Sequence, residues 1–163
     1  MKNLLIVYHS MTGGTLQMAH AAATGAASEE GVRVRLLRAA EAKADDVLAA
    51  DGYIFATPEN LAGMSGMMKD FFDRTYYAAL ERIEARPFLA LVCAGSDGRN
   101  AARQIERIAA GWRLKQVADA YIVCTFAQSP EEILRPKKID EESLKRCEEL
   151  GKTIAAGIAM GIF

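Results

Sequence analysis

Continuous apolar runs alternate with helical stripes along the chain. Leu4–Tyr8 is an unbroken β-favouring run, the pattern of a strand buried on both faces. Thr15–Glu30 is rich in alanine and places Leu16, Ala19, His20, Ala23 and Ala27 on one face at helical spacing, with Gly31 as its stop. Val32–Leu37 alternates apolar residues with Arg33 and Arg35, as a strand nearer a sheet edge does. A short helix over Ala44–Ala50 and a third strand over Gly52–Ala56 follow. Ser65–Leu80 reads as a helix with Met68, Phe71, Phe72 and Thr75 turned inward. Pro87–Ala94 is a fourth strand, and Arg99–Gly111 a helix with Ile105, Ile108, Ala109 and Trp112 in phase. Ala120–Phe126 is the fifth strand, and Asp140–Met160 closes the chain as a helix with Cys147, Leu150, Ile154 and Ile158 on one stripe.

Five strands alternating with helices predict an α/β fold with a parallel sheet and right-handed crossovers. The pattern reads as one domain over residues 1–163: there is no repeat, and the one long polar connection, Ser129–Lys138, comes too late to bound a second. In such sheets ligands bind beyond the carboxyl ends of the strands. The loops after strands one, three and four therefore carry the functional reading.

Composition narrows the classes. Twenty Lys plus Arg against 21 Asp plus Glu leave a formal charge of −1, so there is no electrostatic footprint for nucleic acid or an anionic membrane. Three scattered cysteines form neither a disulfide framework nor a zinc-binding spacing, which predicts no metal site and a cytoplasmic setting. No export signal is visible, and Ile154–Phe163 is about half the ~20 residues a membrane helix needs.

The loop after strand one runs Ser10-Met11-Thr12-Gly13-Gly14-Thr15 directly into a helix. Its three hydroxyls can donate to a phosphate. Its two glycines let the backbone come close, and the helix N-terminus adds partial positive charge. It carries no Lys or Arg, so it suits a terminal monophosphate better than a magnesium-bound triphosphate. The bland reading is a turn whose threonines only cap the helix. After strand three, Thr57-Pro58-Glu59-Asn60-Leu61-Ala62-Gly63 forms a stiff turn with free backbone groups and room for a flat ligand; the bland reading is a plain strand–helix connection with Ser65 as a helix cap. After strand four, Gly95-Ser96-Asp97-Gly98 is a tight, small-residue loop.

Ser10-x-Thr12-Gly13-x-Thr15 matches the flavodoxin phosphate-loop pattern (Ser/Thr)-x-Thr-Gly-x-Thr in full. The segment Thr57–Asp73 resembles the second flavin loop of flavodoxin-like NAD(P)H-dependent FMN reductases and quinone reductases: a Thr-Pro, a small-residue turn, then a helix with Met-Lys-x-Phe-x-Asp. The chain thus resembles the flavodoxin-like family over essentially its whole length. The resemblance implies a three-layer sandwich of strand order 2-1-3-4-5. It implies FMN held by Ser10–Thr15, Thr57–Gly63 and Gly95–Gly98, with NAD(P)H as a transient donor and a quinone, flavin or similar small molecule as acceptor. It implies no catalytic side chain and allows a homodimer. An electron-carrying flavodoxin usually has an aromatic in the third loop, and this chain has none between Gly95 and Ala102. That favours an oxidoreductase over the alternative, a one-electron carrier.

Five other signals compete. Cys93 and Arg99 have the Cys-x5-Arg spacing of thiolate phosphatases, although Cys93 also completes an apolar strand, where an inert buried thiol is usual. Gly151-Lys152-Thr153 lacks the upstream glycine of a nucleotide loop and lies inside a helix. His9 and His20 read as structural, and the methionines at 64, 67 and 68 read as packing. Tyr76 and Tyr77 end a helix, where they would serve a subunit contact or roof a flavin.

Overall fold

A computed structural model describes residues 1–163. The main parallel strands are β1 (Lys2–Tyr8), β2 (Val32–Arg38), β3 (Gly52–Asn60), β5 (Pro87–Ala94) and β7 (Tyr121–Cys124). Two two-residue strands complete the sheet: β4 (Gly63–Met64), antiparallel to β3, and β6 (Lys115–Gln116), parallel to the start of β5. The helices are α1 (Gly14–Ala27), α2 (Ala44–Ala49), α3 (Gly66–Ala79), α4 (Arg99–Gly111), α5 (Pro130–Leu134) and α6 (Glu141–Met160). The order β2-β1-β3-β5 is followed on the far edge by β6 and β7, which pair with the two ends of β5. Taken as five long strands this is the expected 2-1-3-4-5, with the fifth broken in two.

The buried strands alternate sides as the pleat requires. Leu5, Val7, Tyr53, Phe55, Phe88 and Val92 face α2, α3 and α4, and Leu4, Ile6, Ile54, Leu89, Leu91 and Cys93 face α1 and α6. On the first side Phe55 anchors an aromatic cluster, 5.1 Å from Phe72 and 6.4 Å from Trp112. On the second side the core is made of small residues and aliphatics, and α1 and α6 cross at close range.

That crossing corrects the expected face of α1. The buried stripe is Thr15, Met18, Ala19, Ala22 and Ala26, while His20 and Ala27 are exposed and Leu16 is half-buried. In an alanine-rich helix the apolar contrast between faces is weak. The orientation is set instead by Gly25, which lies against the backbone of Glu148, and by Gly151 of α6, which lies against the backbone of Ala22. The helix also ends earlier than Gly31, with Ser28 as its C-cap. No helix is long and apolar enough to cross a membrane.

Candidate functional site

The carboxyl ends of β1, β3, β5 and β7 open into one cleft of about 540 Å³, within the usual range for cofactor sites. Its floor is the β1–α1 loop. Gly13 takes φ +93° and turns the chain into α1, and its N–H donates to Ser10 Oγ at 3.1 Å. Gly14 lies so close to Cys93 that a Cβ there would stand 2.6 Å from the thiol sulfur. No side chain caps α1, so the threonines are not spent on the helix. Thr15 is 1% exposed, and its Oγ1 is the one buried side-chain polar atom of the chain without a hydrogen-bond partner. A buried hydroxyl without a partner costs free energy, and it sits beside helix N–H groups that also lack intrahelical partners. The donor set fits the terminal phosphate of FMN: neutral hydroxyls and backbone amides gathered at one helix N-terminus.

The second wall differs from the expected loop. β3 runs on through Thr57–Asn60 and turns back as β4, so Glu59 pairs with Met64 and Asn60 with Gly63. The two turn residues, Leu61 (φ +48°) and Ala62 (φ +66°), are both left-handed, a conformation that favours Asn and Gly. Tertiary bonds hold this strained turn. Asn100 Nδ2 donates to the Ala62 carbonyl at 2.6 Å, and the Met64 N–H donates to Gln104 Oε1 at 2.8 Å. Leu61 is fully exposed at the tip. Thr57 is buried and accepts from the Ser65 N–H, while Ser65 caps α3 by accepting from Met68. Its hydroxyl therefore belongs to the scaffold.

Among the residues expected at the site, Ser10, Met11, Thr12, Gly14, Thr15, Pro58, Glu59, Asn60, Leu61, Gly95 and Ser96 line the cleft together. Gly13, Thr57, Ala62, Gly63, Asp97 and Gly98 do not; they shape the turns behind it. The far wall was not anticipated. Thr125, Ala127 and Gln128 line it, with Ile133 and Lys137 from the polar connection before α6. The readable signal was Ser129-Pro130-Glu131-Glu132, a capping box with proline at the first helical position, which starts α5.

The competing signals resolve. The Arg99 side chain points into solvent, paired with Asp97, and takes no part in the cleft. Burial pushes the Cys93 thiol up to about 11, although Lys137 draws it the other way, so it is protonated at neutral pH. A thiolate phosphatase needs the opposite in both respects. Trp112 is fully buried, and Tyr76 stacks on it at 5.6 Å. Tyr76 and Tyr77 lie about ten residues, roughly 15 Å, along α3 from its N-terminus, and neither lines the cleft. His9, half-buried with its pKa lowered by burial, is outside the lining.

The buried thiols carry a pH prediction. Folding holds Cys93 up to about 11 and Cys147 up to about 12, from an ordinary 9.0. Between those values the unfolded chain has lost protons that the folded chain keeps, so stability falls as pH rises. The melting temperature is expected to drop from pH 9 to 11, and Cys93→Ser to flatten that drop. A melting curve unchanged over this range would contradict the burial of both thiols.

Comparison with known proteins agrees with this architecture. Residues 36–128, more than half of the chain, match the family model described as NADPH-dependent FMN reductase. A protein named flavodoxin from Aquifex aeolicus is 29% identical over 98% of this chain and 89% of its own length. An NAD(P)H dehydrogenase (quinone) from Acidithiobacillus ferrooxidans is 37% identical over 46% of this chain and 48% of its own. Among solved structures, a flavodoxin from the domain Archaea superposes with TM-score 0.77 at 19% identity, over 96% of this chain and 98% of that one. A WrbA-like flavodoxin from Agrobacterium tumefaciens superposes with TM-score 0.74 at 20% identity, over 98% and 99%. The structural matches share the flavodoxin-like fold and the family match shares sequence, so the chain belongs to the NADPH-dependent FMN reductase family, FMN-binding oxidoreductases on a flavodoxin-like scaffold.

Proposed function

We propose that residues 1–163 form one FMN-binding domain that takes electrons from NAD(P)H and passes them to a small acceptor such as a quinone or a free flavin. Bound FMN supplies the hydride-accepting ring, and the chain supplies binding, orientation and shielding. Ser10, Thr12, Thr15 and the amides at the start of α1 hold the phosphate. The backbone of Pro58–Leu61 and the Gly95–Ser96 turn flank the ring. Gly95 has little room for a side chain, since a Cβ would stand 3.1 Å from the Ala127 carbonyl oxygen. Three free cysteines, two of them buried, suit the reducing cytoplasm.

The observation that carries the donor assignment is the lining itself: no Phe, Tyr or Trp side chain contributes to the cleft. A nicotinamide must lie over the flavin with reacting atoms roughly 3–3.5 Å apart, and an aromatic lid would occupy that space. The second reading, a one-electron carrier, draws on the Aquifex relative and on Phe126, an exposed aromatic at φ +58° in the loop after β7. Anaerobic mixing of the FMN-loaded protein with NADH and with NADPH separates the two. Flavin bleaching much faster than that of free FMN is expected with at least one donor. Bleaching no faster than free FMN with both would give the carrier reading the better claim.

A further inference from the structure

We propose that Lys137 is the counter-charge of the FMN phosphate, brought to a neutral loop by the segment that follows α5. This rests on the assignment of Ser10–Thr15 as the phosphate site. That loop offers hydroxyls and amides but no cation. A phosphate dianion taken out of water among neutral donors remains under-compensated. Only two charged side chains line the cleft: Glu59 on the β3–β4 hairpin and Lys137.

The backbone of Lys137 is fixed against the loop from both sides. Its N–H donates to the Thr12 carbonyl at 2.8 Å, and its carbonyl accepts from Gln17 Nε2 at 2.7 Å. The same Gln17 amide nitrogen donates to the Gly13 carbonyl at 2.9 Å, and Gln17 Oε1 accepts from the Ile139 N–H at 3.0 Å. One side chain of α1 thus clamps both the loop and the segment. The Lys137 Cβ stands 3.4 Å from where a Gly14 Cβ would be. The charge is felt inside the cleft, since Lys137 is the group that pulls the Cys93 pKa downward against burial.

The ammonium itself donates to the carbonyls of Glu132 at 2.8 Å, Ile133 at 2.8 Å and Arg135 at 2.6 Å. All three of its protons are used, so it acts on the phosphate through charge and not as a direct ligand. A lysine that merely ties off α5 makes the same three bonds. The two roles differ in what happens when the charge is removed.

The experiment titrates apo-protein with FMN and with riboflavin, followed by flavin fluorescence, at low and moderate salt. Wild type, Lys137→Gln, Lys137→Met and Lys137→Arg are compared. Both neutral variants are expected to weaken FMN about tenfold and leave riboflavin within about twofold. They should also flatten the salt dependence of FMN binding, and Lys137→Arg should keep most of the preference. Equal losses for FMN and riboflavin, or an unchanged ratio between them, would overturn the proposal and leave a helix-tying role. Should both neutral variants fail to fold, the wild type decides: FMN affinity that falls with salt while riboflavin's does not supports the counter-charge, and a flat FMN curve overturns it. A wild type with no preference for FMN over riboflavin would instead remove the phosphate site itself.

Discussion

Thr15→Val is expected to lower FMN affinity about ten- to a hundredfold while leaving the apo-protein at least as stable as wild type. The two effects have one origin. The Thr15 hydroxyl is buried at the start of α1 and has no partner in the chain. An unsatisfied buried hydroxyl costs roughly 1–3 kcal/mol, so an apolar group of the same shape relieves that cost. On the proposed phosphate assignment the hydroxyl would donate to an ionised phosphate in the FMN complex, worth roughly 1.5–3 kcal/mol, or about ten- to a hundredfold in affinity. Riboflavin binding should hardly change. Ser10 makes a poorer probe, because its oxygen already accepts from the Gly13 N–H and its loss would loosen the turn as well. Fluorescence titrations and thermal melts of the same preparations check both halves. A more stable variant with unaltered FMN affinity would make Thr15 a packing residue and nothing more.

The residues that made this site readable are those whose local pattern and tertiary role agree. Leu4–Tyr8 is apolar throughout because both sides of β1 are covered, and the hydroxyls after it stand out because a buried strand delivers them to a helix start. Ser65 was readable as a cap because capping is a local bond. The misread parts depend on distant partners. Nothing in Asn60-Leu61-Ala62-Gly63 announces a hairpin, since Leu and Ala are poor residues for φ > 0; Asn100 and Gln104, some forty positions away, hold the turn. The far wall was missed because Thr125, Ala127, Gln128, Ile133 and Lys137 follow no periodic pattern, and long-range bonds place them at the cleft: the N–H groups of Thr125 and Phe126 donate to the carbonyls of Ala94 and Gly95, and Lys137 is bonded to Thr12 and Gln17. β6 went unseen for a similar reason: Lys115 and Gln116 are two exposed polar residues on an edge.

The face of α1 illustrates the same point and yields the second large effect. Gly151→Ala is expected to destabilise the fold by roughly 2–4 kcal/mol, although alanine is the better helix former. Helix propensity alone favours alanine by about 1 kcal/mol. Against this, a Cβ at Gly151 would fall on the carbonyl group of Ala22, and Gly25 meets the Glu148 carbonyl in the same way. Both obstacles are backbone, so no side chain can swing aside. The two helices must separate, and the contacts of Met18, Ala19, Ala22, Leu150 and Ile154 loosen together. For a chain of this size the loss amounts to roughly 5–15 °C in melting temperature. Gly66→Ala is the control: it lies in the exposed first turn of α3 with nothing within 4 Å of its Cβ position, and it should melt at or slightly above wild type. The damage should also reach the site, because α1 carries both Thr15 and the Gln17 clamp. FMN affinity is therefore expected to fall in Gly151→Ala and not in Gly66→Ala. A Gly151→Ala protein that melts within about 2 °C of wild type would show that α1 and α6 do not meet backbone to backbone, and the orientation of α1 would need another cause.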